Sequence, residues 1–157
     1  MNTELKYALI FAVMQLAWLE LEFVSGLQTL HKDIHQVVSV LVAIPTAVIM
    51  VIGIQAKKKK LGGTISFQQS FRTGVYISII GALFSPLTML IFDKLINPDF
   101  FTDFQNYVIG KGMMNVEQAK EYFNLKNYMI QSALGAMVMG TVSTGIIAAV
   151  IKMKNEE

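Results

Sequence analysis

The sequence predicts an all-α, four-helix polytopic integral membrane protein with an amphipathic helical hairpin between its third and fourth spans. Three observations predict it. Four apolar blocks, approximately residues 7–27, 34–56, 73–92 and 128–151, each reach the roughly 20 residues a helix needs to cross a bilayer. Charged residues are only 15% of the 157 against 54% apolar, too little charge to coat a soluble particle when the apolar residues come in blocks. Between the third and fourth blocks, about residues 93–127 repeat their apolar side chains at helical spacing. Helices in soluble cores average about 11–12 residues and carry a polar stripe, which the second and fourth blocks lack. The same composition excludes a disordered chain, a nucleic-acid-binding tail and an ordinary soluble enzyme. With no cysteine, disulfides, zinc–thiolate sites and thiol catalysis are excluded too. Residues 1–157 are read as a single membrane domain.

The first block has no small-x-small cleavage site, and Glu20 and Glu22 interrupt it, so it reads as a retained span that also directs insertion. A turn over residues 28–32 follows, and Asp33 with Gln36 three residues on predicts a capping box for the second span. Between Val37 and Ile54 that span has no charge. Lys57, Lys58, Lys59 and Lys60 follow at once and serve as topology anchors. With four spans, this run shares one side with Lys6, Arg72, Lys152 and Lys154. Lys32, Lys94, Lys111, Lys120 and Lys126 are spread along the longer opposite side. Both termini are therefore expected to be cytoplasmic, and the lysine run also suits anionic lipid headgroups.

Gly62-Gly63 breaks the chain, and Ser66 with Gln69 repeats the capping signature before the third span. Phe67 and Phe71, four apart, suit the headgroup level. Beyond that span, Asn97-Pro98 predicts a helix start, with Phe100, Phe101, Phe104, Tyr107 and Val108 on one apolar face. Gly110 and Gly112 end it. Asn115 and Gln118 open a second short helix with Val116, Ala119 and Phe123 on a common side. This hairpin is expected on the outer membrane surface or folded over the bundle mouth, as a structural cap; a ligand-binding lid is the sharper alternative.

Span four carries Ser132, Ala136, Gly140, Thr144 and Ala148 at a step of four, span three Gly74, Ser78 and Ala82, and span two Ser39, Ala43 and Ala47. In lipid, helices associate where small side chains let backbones approach, so these ladders predict close packing within the chain; a homodimer interface is the alternative. Pro45 and Pro86 lie inside spans two and three and predict kinks, which in a transporter form hinges.

The chemistry-bearing candidates are Glu22, Glu20, Gln15, His31 and His35. An intramembrane carboxyl is a functional hypothesis because ionising it in hydrocarbon is costly. Measured from Lys6, Glu20 and Glu22 lie about 21 and 24 Å along the helix, near the outer edge of a roughly 30 Å core, where interfacial snorkelling competes. Two residues apart is about 200° of helix, so only one can face the bundle. Glu22 shares its face with Gln15, Ala8 and Trp18 and is expected inside, hydrogen-bonded to Gln15. Glu20 shares its face with Val13, Leu16 and Val24. His31 and His35 lie on the same outer side, within reach of Glu22. If Asp33 caps the helix, His31 precedes it and the two histidines form no helical pair. No phosphate loop, H-E-x-x-H, nucleophile elbow or dinucleotide fingerprint occurs, so no catalytic, cofactor or metal residue is assigned.

Several strings carry a family resemblance. They are Trp18-Leu19-Glu20, Gly26-Leu27 with the stretch from His31 to His35, Ile44-Pro45, and the lysine run. They continue with Ile65-Ser66-Phe67-Gln68-Gln69, Ile96-Asn97-Pro98-Asp99-Phe100-Phe101, and the stretch from Glu121 to Tyr128. Together they resemble the domain-of-unknown-function family numbered 4199, small integral membrane proteins found mainly in Bacteroidota. The resemblance covers nearly the whole chain and implies four spans in a bacterial cytoplasmic membrane; it implies no activity. The expected function is a non-enzymatic membrane component that binds a partner protein or lipid. The alternative is a small oligomeric transporter or channel using Glu22 and Gln15, and a membrane-embedded enzyme is least favoured. Expected partners are the lipid bilayer and either a second copy or another membrane protein, with no nucleic acid and no cofactor.

Overall fold

The computed structural model describes residues 2–156, with side chains through Ile151; the side chains of Lys152 and Lys154, counted above for topology, lie outside it. In chain order the helices are α1 (Thr3–Val24), α2 (Lys32–Ser39), α3 (Ala43–Lys60), α4 (Phe67–Ile91), α5 (Phe100–Gly110), α6 (Val116–Tyr122) and α7 (Leu125–Glu156). No strand occurs among the described residues. Four helical stretches are long and apolar enough to cross a membrane: Thr3–Val24, Lys32–Lys60, Phe67–Ile96 and Leu125–Ile151. The second outruns its apolar block because Lys57–Lys60 stay helical, their charges complementing the negative end of the helix dipole.

Packing fixes the directions of the spans. Gly74 lies against Thr144 and Gly140 against Ser78, so α4 and α7 run antiparallel along the two predicted ladders. A β-carbon at Gly140 would stand 2.7 Å from that of Ser78; the backbones meet there as closely as glycine allows. Ala136, Gly140, Thr144 and Ala148 are all buried, and so are Gly74, Ser78 and Ala82. Phe11 packs on Gly81 and Gln15 bonds Ser85, four residues further along each helix, so α1 and α4 run parallel. Glu4 pairs with Lys57 at 2.7 Å, which joins the start of α1 to the end of α3. The second-span ladder does not form a third seam. Ser39, Ala43 and Ala47 are only half-buried, and the span buries Thr46, Ile49, Met50, Gly53 and Ile54 instead.

Pro45 accounts for the break in that span. Its ring has no N–H for the carbonyl four residues back and crowds it, and the helix tightens into a 3-10 turn over Val40–Val42. The N-terminal piece, α2, buries no residue at all. Pro86, by contrast, lies within an unbroken α4. Past Ile91 the helix widens to a π turn, Phe92–Ile96, closed by the Asn97 N–H donating to the Phe92 carbonyl at 2.9 Å.

Two capping boxes close as predicted. Gln69 N–H donates to Ser66 Oγ at 3.2 Å, Gln118 N–H donates to Asn115 Oδ1 at 2.8 Å, and each glutamine side chain accepts in return. Two predicted helix starts move. His31, not Asp33, is the N-cap of α2, and Asp33 lies in the first turn without a capping bond. Asn97 ends the π turn, and α5 begins at Phe100 after Asp99, because the Asn97 side chain is drawn to a tertiary partner. The hairpin folds over the bundle mouth. Phe100, Phe101, Phe104, Val108, Ala119 and Phe123 join Met89 and Phe92 in one buried cluster, while Val116 stays exposed. Lys32 bonds Asp103 at 3.5 Å and so ties α5 to the start of α2.

Candidate functional site

Beneath this hairpin, at the end of the bundle away from Lys57–Lys60, lies a cavity of about 240 Å³. It is reached by residues from α1, α2, α4, α5 and α7. Its apex is Glu22, 3% exposed on the inward face of α1. Glu20, across the helix, is exposed, as the 200° offset requires.

The carboxylate is held by four groups. Trp18 Nε1 and Ser39 Oγ each donate to Oε1 at 2.6 Å. Gln28 Nε2 donates to Oε2 at 3.3 Å, and His35 Nε2 lies 3.2 Å from the same oxygen. Helical spacing explains most of this. Trp18 sits one turn before Glu22, and His35 and Ser39 sit one turn apart on α2, so both elements aim polar groups at one point. Gln28 arrives through the turn after α1, where Gly26 at φ +79° lets the chain reverse. It is 1% exposed, donates also to the Leu19 carbonyl at 3.2 Å, and accepts from Asn97 Nδ2 at 3.1 Å. The carboxylate is thereby linked to the base of the hairpin.

Gln15 lines the same cavity but does not bond Glu22. Its Oε1 accepts from Ser85 Oγ at 2.9 Å, about two turns deeper, where α4 runs alongside α1. His31 is exposed and outside the site, whereas His35 is half-buried, its ring 4.9 Å from that of Phe104. Of the candidates, the structure therefore gathers Glu22, Gln15 and His35 around one cavity and leaves Glu20 and His31 on the surface. Trp18, Leu19, Phe100 and Tyr128 supply its apolar and aromatic wall. Among the described residues no three His, Cys, Asp or Glu side chains gather as metal ligands.

Sequence reasoning did not assign Gln28 or Asn97 to the site. A turn glutamine and an Asn-Pro pair carry no signal of burial, since each is buried by a contact distant in sequence. Ser39 was legible only as a ladder residue, although its spacing from His35 marks a polar helix face. Two wider grooves, of about 510 and 420 Å³, lie around Met113 and Tyr122 and around Lys32 and Lys111, but no buried residue lines either. Of these three, the cavity beneath the hairpin is the one that brings a buried ionisable group to its wall.

No curated protein and no solved structure matches the chain. A family model matches residues 6–153, which takes in all but the first turn of the four spans, the hairpin and all the groups that hold Glu22. The chain therefore belongs to the family described as Protein of unknown function (DUF4199).

Proposed function

We propose that this protein is a non-enzymatic membrane component whose outer cavity binds a lipid or comparable amphiphile. The observation that carries the reading is a cavity with a polar apex and an apolar wall, closed on one side by α2, which buries no residue. An acyl chain leaving past α2 stays in hydrocarbon while its polar end sits under the hairpin. Binding is favoured over conduction because of what lies further in. Phe11, Ile49, Ala82 and Ala136, then Ala8, Met50 and Ile77, fill the bundle axis with buried apolar groups. Filling the cavity tests it. Ser132→Trp is expected to abolish co-purification of a bound amphiphile, read by native mass spectrometry from mild detergent, with the helical fold kept. Equal occupancy in the variant and the original protein would count against the cavity.

The same reading places the chain in a bacterial cytoplasmic membrane with both termini inside. The basic run at Lys57–Lys60 supports it, standing at the end of the bundle where α1 begins. Reporter fusions at the two ends are expected to be active only for cytoplasmic reporters; activity of a periplasmic reporter at either end reverses the orientation.

A further inference from the structure

We propose that the cavity selects a methylated, quaternary ammonium group, as a free small cation or as a lipid headgroup; this rests on the cavity being a binding site. Three features converge. The first is charge. Glu22 is buried at the apex, and of its four partners only His35 can carry a compensating charge, and then only when protonated. With the imidazole neutral, the cavity holds an unbalanced anion in surroundings where charge is poorly screened.

The second is hydrogen-bond saturation. An ionised carboxylate offers about four lone-pair sites, and Trp18, Ser39, Gln28 and His35 take all of them. A primary ammonium brings three N–H donors that find no free acceptor on Glu22, and leaving them unmatched costs affinity. A quaternary ammonium has no N–H to satisfy. It gains the attraction of the charge without competing for the oxygens.

The third is the wall. Trp18, Phe100 and Tyr128 border the same space, the last two with ring centroids 5.5 Å apart. Aromatic faces attract cations that have shed their water, and aromatic cages are a recurrent solution for quaternary ammonium. Size agrees. At about 240 Å³ the cavity falls below the roughly 300–1,000 Å³ of pockets for larger ligands, which fits a headgroup and excludes a coiled acyl chain.

The experiment compares ligands on the unaltered protein in detergent by calorimetric titration. Choline is expected to bind at least about tenfold more tightly than dimethylbutanol, its neutral carbon isostere, and than ethanolamine, its primary-amine counterpart. Phe100→Leu is expected to weaken choline about tenfold and its neutral isostere by much less. A second arm uses nanodiscs. Preference for phosphatidylcholine over phosphatidylglycerol, with weak binding of choline alone, identifies the lipid as the source; strong binding of choline alone identifies the free cation. If the isostere or ethanolamine binds as well as choline, the ammonium proposal fails while the cavity stands. If an amphiphile co-purifies but neither choline nor phosphatidylcholine is preferred, the proposal also fails alone. If nothing occupies the cavity, both readings fall.

Discussion

Gly140→Leu is expected to destabilise the folded protein by about 3 kcal/mol or more, read as a lower unfolding midpoint in detergent micelles. The reason is geometric. Even a β-carbon at Gly140 meets the Ser78 side chain and stands 3.3 Å from Met50 Cε, so three further carbons have no room. The helices must part, and the adjacent contacts of Ala136 and of Gly74 with Thr144 loosen together, since they share one seam. Gly135→Leu is the matched control. Gly135 lies on the same helix with nothing within 4 Å of its would-be β-carbon, so this change is expected to be neutral or mildly stabilising through helix propensity. Equal losses for the two variants would remove the seam from the account.

Glu22→Ala is expected to cost about 3 kcal/mol, because several buried donors lose one charged acceptor together. The loss comes less from the deleted carboxylate than from what it leaves behind. Trp18 N–H, Ser39 O–H and one Gln28 N–H lose their acceptor, and His35 loses its hydrogen-bond partner. Gln28 also anchors Asn97, so hydrogen exchange in α5 is expected to quicken alongside the fall in stability. Glu20→Ala, at an exposed position on the same turn of helix, is expected to change stability by less than about 0.5 kcal/mol. The role given to Glu22 is lost if the two alanine variants behave alike.

The four spans were legible because crossing hydrocarbon requires long apolar blocks, a constraint written directly in composition. The α4–α7 seam was legible for a similar reason, since a step of four on a straight helix is a geometric line. The same step failed in the second span. A 3-10 turn advances fewer residues per turn, so Val40–Val42 rotates everything after it, and Thr46, Met50 and Gly53 face inward where Ala43 and Ala47 were expected. Local signals also lost to distant partners. Asn97-Pro98 has the composition of a helix start, yet the amide of Asn97 is engaged by Gln28 from another loop. Gln15 and Glu22 share a helix face as expected, but Ser85 on a neighbouring span takes the glutamine. Periodicity tells which face turns inward; it does not tell which partner waits there.

Every group that holds the Glu22 carboxylate belongs to the first two spans and the turn between them: Trp18, Gln28, His35 and Ser39. A nascent chain whose second span has just cleared the ribosome thus already carries the complete set of donors. The buried carboxylate of this segment finds its hydrogen-bond partners locally, without waiting for later parts of the polypeptide. The donors for this carboxylate are therefore complete with the first helical pair, before α4, which packs along α1, has been made.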